Sequence, residues 1–137
     1  MNQREILFSL LFLLLCASGI LLRLGFSKPV AAGEEQAVII TVRLTSGPMG
    51  SDEERHRIRK LEDQLSAAIK KTSSGEFDGD EYGNSACTIY MYGPSADQLF
   101  NALQTILIEF KLPNGSYAIK RYGKPGAKQD RIPLGND

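Results

Sequence analysis

The apolar positions of the chain change period along its length, and each period predicts a different kind of element. From Ile6 to Leu22 the sequence ILFSLLFLLLCASGILL carries no charge, Pro, Asn or Gln, and it is flanked by Arg4, Arg23 and Lys28. An unbroken run of this length is at the short end of what spans a bilayer and exceeds the usual ~7–15-residue core of a cleavable signal. Residues 1–26 are therefore expected to form a transmembrane anchor or a signal segment. A small-x-small site at Val30-Ala31-Ala32 would serve cleavage, but it lies about ten residues behind the apolar core, which favours an uncleaved, single-pass anchor. Cys16 is enclosed by apolar residues on both sides and reads as a small membrane-helix residue, not as a lipidation site. Residues 27–36, SKPVAAGEEQ, have no periodicity and suit a short linker.

Beyond the linker the period becomes two. AVIITVRLT alternates Val38, Ile40, Val42 and Leu44 against Ile39, Thr41 and Arg43, which predicts a strand with one buried face. After SGPMG the period lengthens to that of a helix: Ile58, Leu61, Leu65, Ala68 and Ile69 share a face, and Ser51 with Glu54 forms a capping box. GEFDGDEYGNS, rich in acid and glycine, predicts a weak strand, and ACTIYMY a firm one with Cys87, Ile89 and Met91 opposite Thr88, Tyr90 and Tyr92. Ser95 and Gln98 form a second capping box, opening a helix whose stripe is Leu99, Phe100, Leu103, Ile106, Leu107 and Phe110. After Pro113-Asn114-Gly115, SYAIKRYG reads as a last strand, with KPGAKQDRIPL turning back as a hairpin partner.

This order predicts an α+β fold of the ferredoxin-like kind, a two-layer split βαβ sandwich with a four-stranded antiparallel sheet and two helices. It would span residues 37–123, after the N-terminal membrane helix and before a C-terminal hairpin or tail at 124–137. Its helices would bring Ile58, Leu61, Leu65, Leu99, Leu103, Ile106 and Phe110 to the core.

Charge narrows the function only by exclusion. The 16 basic and 16 acidic residues cancel, and without the first 32 residues (Arg4, Arg23 and Lys28 against Glu5) the balance is 13 to 15. That excludes the strongly basic balance of a protein built mainly to hold nucleic acid. Cys87 is the one thiol after Cys16, so no disulfide can form within the part outside the membrane, whichever side it occupies. The charges flanking the apolar run do not set orientation; the periplasmic or extracytoplasmic face is the expected side, with export if the segment is cleaved.

The stretch Gly75–Phe100, GEFDGDEYGNSACTIYMYGPSADQLF, resembles a family of small uncharacterised bacterial proteins. The shared pattern is carried by Gly75 to Glu81, Thr88 to Pro94, Ala96-Asp97, Leu99-Phe100 and the later Arg121-Tyr122-Gly123. The resemblance covers most of residues 37–123 and implies the fold, without implying an activity.

Two constellations stand out. Glu76, Asp78, Asp80 and Glu81 gather beside Gly79 and Gly83, and in a regular extended strand Glu76, Asp78 and Asp80 would share one face. They could dock a basic partner, hold a hard cation, or form a solvated edge that resists sheet-to-sheet aggregation. The echo of a calcium loop in Asp78-x-Asp80 fails, because Tyr82 and Ile89 occupy its fifth and twelfth positions. The second is Tyr90, Tyr92, Lys120, Tyr122 and Arg43, expected on the sheet face away from the helices. Without the signature sequences of RNA-stacking modules, that face reads as a dimer or partner-docking surface, or as a surface covered by Lys124 to Leu134. The basic group Arg55, Arg57, Arg59 and Lys60 around His56 is interleaved with acids and reads as a solvated helix face.

No phosphate loop, nucleophile elbow or His/Cys ligand spacing is present, so neither catalytic residues, a cofactor nor a metal is expected. The expectation is a membrane-tethered protein-binding module, in one version an immunity-type protein. It would meet its partner through Glu76, Asp78, Asp80, Glu81, Tyr90, Tyr92 and Tyr122, and a homodimer through the tyrosines is included. The alternative is a divalent-cation-dependent ligand-binding or catalytic domain using the acidic loop.

Overall fold

A computed structural model describes residues 33–135. The apolar run at residues 6–22, the candidate cleavage site and Cys16 lie outside the described residues, and among the described residues no helix is long and apolar enough to cross a membrane.

The alternation after Gln36 becomes β1 (Gln36–Arg43), with Val38, Ile40 and Val42 buried in turn. Two capped helices follow from their own sequence signals. In α1 (Asp52–Thr72) the Ser51 hydroxyl accepts the Glu54 amide and the Glu54 carboxylate accepts the Ser51 amide, closing the predicted capping box. In α2 (Ala96–Phe110) the Ser95 hydroxyl accepts the Gln98 amide at 3.3 Å, which is one half of the expected second capping box; the return bond from the Ser95 amide to the Gln98 side chain is not formed. The remaining strands are β2 (Glu76–Gly83), β3 (Ala86–Gly93), β4 (Tyr117–Arg121) and β5 (Gln129–Pro133). Asn84 and Ser85 both have positive φ, at 52° and 57°, so the β2–β3 hairpin closes through the two-residue turn whose twist matches that of its strands.

The strands form one antiparallel sheet in the order β2-β3-β1-β4-β5, with both helices on one face. The expected four-strand count is one short. Residues 129–133 turn back as the expected hairpin partner and extend the sheet past β4, with Ile132 opposite Ala118; they neither trail as a tail nor fold across the sheet. The physical reason is an unpaired β4 edge, which the returning chain satisfies with backbone hydrogen bonds. Val38, Ile40, Val42, Cys87, Ile89, Met91 and Ala118 meet Ile58, Leu61, Leu65, Ile69, Leu99, Leu103 and Leu107 in a single core. Ile106 and Phe110 only border it, because they sit on the flanks of the α2 stripe.

Candidate functional site

Register decides which side chains share the face left free by the helices. One row across the sheet is Glu76, Tyr92, Ala37, Arg121 and Gln129; the next on the same side is Gly79, Tyr90, Ile39, Ile119 and Arg131; the third is Glu81, Thr88, Thr41, Tyr117 and Pro133. Intervening rows contain Val38, Ile40, Met91, Ile89 and Ala118 and point into the core. The open face is thus Ile39, Ile119 and three tyrosines between two sides of opposite charge, with Glu76 and Glu81 at β2 and Arg121 and Arg131 at β4–β5. No described element covers it. The rings and cations order one another: the Arg131 guanidinium lies 3.8 Å from the Tyr117 ring centre, Arg121 lies 5.9 Å from that of Tyr92, and the Tyr90 hydroxyl donates to Glu81 at 3.2 Å. Arg43 lies at the end of the same face.

Two residues expected on this face are elsewhere. Lys120 pairs with Val38 and therefore points to the helix side, where its ammonium and the Tyr122 hydroxyl both donate to Asp97 in the first turn of α2. The single Tyr122 proton is shared between Asp97 at 3.0 Å and Asp130 at 2.8 Å. This network holds the Asp97 carboxyl below its usual range, the Lys120 hydrogen bond first and that of Tyr122 second. Tyr122 is thus a helix-side contact, and Tyr117 takes its place on the open face. In SYAIKRYG either Ala118 or Ile119 can be the inward residue; the Ile39–Ile119 pair on the open face breaks the rule that the larger apolar residue faces in.

The acidic strand is also divided. Between Phe77, opposite Met91, and Gly79, opposite Tyr90, Asp78 is an extra residue, and the strand alternation changes hand at this bulge. Glu76 and Glu81 consequently lie on the open face, Asp80 lies with Tyr82 on the helix side, and Asp78 projects at the bulge. Glu76, Asp78 and Asp80 do not share a face, contrary to the regular-strand expectation. All four carboxylates are nonetheless exposed. Gly79 adopts φ +147°, a conformation rarely open to residues with a Cβ, which marks the bulge chemically.

The bulge creates a grouping that sequence distance conceals. One donor atom each from Glu62 of α1, Asp80 of β2 and Cys87 of β3 lie within 4.8 Å of one another. The Cys87 thiol points at Asp80 over 4.0 Å, and Glu62 Oε1 and the Tyr82 hydroxyl oxygen are buried without a hydrogen-bond partner. Burial first, then the charges of Asp80 and Asp63, push the Glu62 carboxyl up to about 7, against an opposing pull from Arg59. Burial likewise pushes the Cys87 thiol up to about 12, so it stays protonated and a poor nucleophile near neutrality. The signal that could have revealed Glu62 was a carboxylate one residue from the buried Leu61 on the α1 stripe.

The basic residues of α1 make one local and one distant contact. Arg55 pairs with Asp52 at 2.8 Å, Arg57 donates to the Phe110 and Lys111 carbonyls at the end of α2, and His56 is exposed. The solvated-face reading of this group agrees with these contacts. Compared with known proteins, the chain matches no family model, no curated protein and no solved structure.

Proposed function

We propose that this chain is a protein-binding module with a ferredoxin-like core widened by a fifth strand, tethered to a membrane by residues 6–22, and that it docks its partner on the open sheet face. One observation carries the reading: Tyr90, Tyr92, Tyr117, Ile39 and Ile119 share a face that no described element covers, while the outer faces of both helices are polar apart from Ile108. Tyr presents much contact area at small entropic cost and Arg a planar fork of several donors, and both are enriched at the centres of interfaces. Glu76 and Glu81 would meet a basic partner surface from the β2 side, as an immunity-type role requires. The family suggested by Gly75–Phe100 adds the bacterial setting to this proposal.

The test is a photo-crosslinking phenylalanine placed in the full-length chain in cells at Tyr90, Tyr92, Lys60 or Gln104. Adducts from the two sheet positions and none from the two helix positions are expected; adducts spread evenly over all four would refute the docking face. Carbonate extraction of the same cells tests the tether, which predicts retention in the membrane pellet.

A second reading follows from Glu62, Asp80 and Cys87. Their spacing suits a divalent cation of the zinc type, which would displace the thiol proton and engage Glu62 Oε1. Calorimetric titration with zinc, calcium, magnesium and manganese should then give saturable heat that Glu62→Gln and Asp80→Asn abolish. Heat unchanged in both variants removes this reading.

A further inference from the structure

The charge layout of the open face selects an occupant. Resting on the docking reading above, we infer that the partner is a second copy of this chain, packed sheet on sheet about a two-fold axis that runs along the strands.

Two copies can bring these faces together about an axis in the interface plane, whose limiting directions are along the strands and across them. An axis across the strands leaves each β2 over the other β2 and sets Glu76 and Glu81 against themselves. An axis along the strands exchanges the two sides of the sheet, so Glu76 and Glu81 of each copy meet the Arg121 and Arg131 side of the other. Each favourable pairing then occurs twice, as an isologous interface requires. The middle of the face is apolar in both copies, with the tyrosines of β3 brought toward Ile39, Ile119 and Tyr117. Arg43 sits at the rim, where its guanidinium keeps its water.

The chain preceding β1 favours the same axis independently. Rotation about an axis along the strands leaves both Gln36 residues at one end of the pair, so the 35 residues before each strand can enter one membrane. The crosswise axis sends them to opposite ends. The size of the face sets the strength. Five strands about 4.8 Å apart and roughly seven residues of about 3.3 Å give about 550 Å² per copy, or about 1,100 Å² in total, near the lower limit for a specific pair. Such a dimer is weak in dilute solution and is favoured when tethering confines the copies to a surface. The same mixture of signs disfavours an anionic lipid surface or a nucleic acid, because Glu76 and Glu81 would face phosphate.

Analytical ultracentrifugation of the full-length chain in detergent micelles tests this, with the detergent matched for density. A concentration-dependent monomer–dimer equilibrium is expected. Glu76→Arg with Glu81→Arg, and separately Arg121→Glu with Arg131→Glu, should each weaken it by about tenfold or more, and mixing the two variants should restore dimers. Restoration on mixing is not something a folding defect can produce. Because Arg121 also donates to the Gly123 carbonyl, Arg131→Glu alone serves as a milder second acidic variant. A monomer at every concentration, dimers indifferent to the swaps, or no restoration on mixing would each overturn the inference. Crosslinked adducts at Tyr90 and Tyr92 to some other protein, with the chain itself monomeric, would overturn the second copy and leave the docking face standing.

Discussion

Glu54 accepts the Ser51 amide at 2.9 Å, the Thr45 amide at 2.7 Å and the Thr45 hydroxyl at 2.8 Å, so one carboxylate both caps α1 and anchors the loop leaving β1. These bonds, the Thr45 amide first, lower its carboxyl from an ordinary 4.5 to about 2. A depressed folded-state value means that the stabilisation is fully present above about 4.5 and fades as pH falls toward 2. Glu54→Ala should cost about 1–2 kcal/mol in urea denaturation at pH 7, and the difference from the parent chain should shrink at pH 3. Glu62 behaves in the opposite sense. With its carboxyl raised to about 7, the folded state retains a proton that the unfolded state has lost, so ionisation opposes folding increasingly from about pH 4.5 to 7 and by a constant amount above. Glu62→Gln should therefore stabilise by about 1 kcal/mol above pH 7, a figure reduced for the partial solvent access of the group, and the gain should vanish near pH 4.

Among the elements, β2 depends most on its neighbour. Phe77 and Tyr82 both reach the helix side only because Asp78 is accommodated as an extra residue between their halves of the strand. Deleting Asp78 should therefore leave both halves in place and change stability by less than about 1 kcal/mol, as read by thermal melting. Gly79→Val should cost about 1–3 kcal/mol, since φ at +147° strains a side-chain-bearing residue even though no atom lies within 4 Å of an added Cβ. In the Asp78-deleted chain the same substitution should be nearly harmless, because the regular strand no longer needs that conformation. The helices and β1 were legible beforehand: their buried positions follow one period, and their caps are local. The strand phases of β2 and β4 were not, because the bulge and the outward Ile119 depend on pairing with β3 and β1.

For the molecule as a whole, β5 decides what the sheet offers. It occupies the β4 edge, contributes Ile132 beside the core, and brings Arg131 to the open face. A chain ending at Gly123 should lose about 2–3 kcal/mol of stability in urea denaturation and scatter light on warming, because an edge and part of the core are uncovered together. The same truncation removes one cation from the basic side of the proposed interface and should weaken self-association relative to the full-length protein.

From amino-acid order alone came the element sequence, both helix starts, the inward residues of β1, β3 and the helices, and the apolar run before them. Each is a short-range property, written in a repeat of two or 3.6 residues or in a cap three residues long. Tertiary structure decided that the C-terminal hairpin joins the sheet as its fifth strand, the parting of Glu76 and Glu81 from Asp80, the exchange of Tyr117 for Tyr122, and the meeting of Glu62 with Asp80 and Cys87. These depend on which strand lies alongside, and a single extra residue in one strand reverses the side on which every later residue emerges.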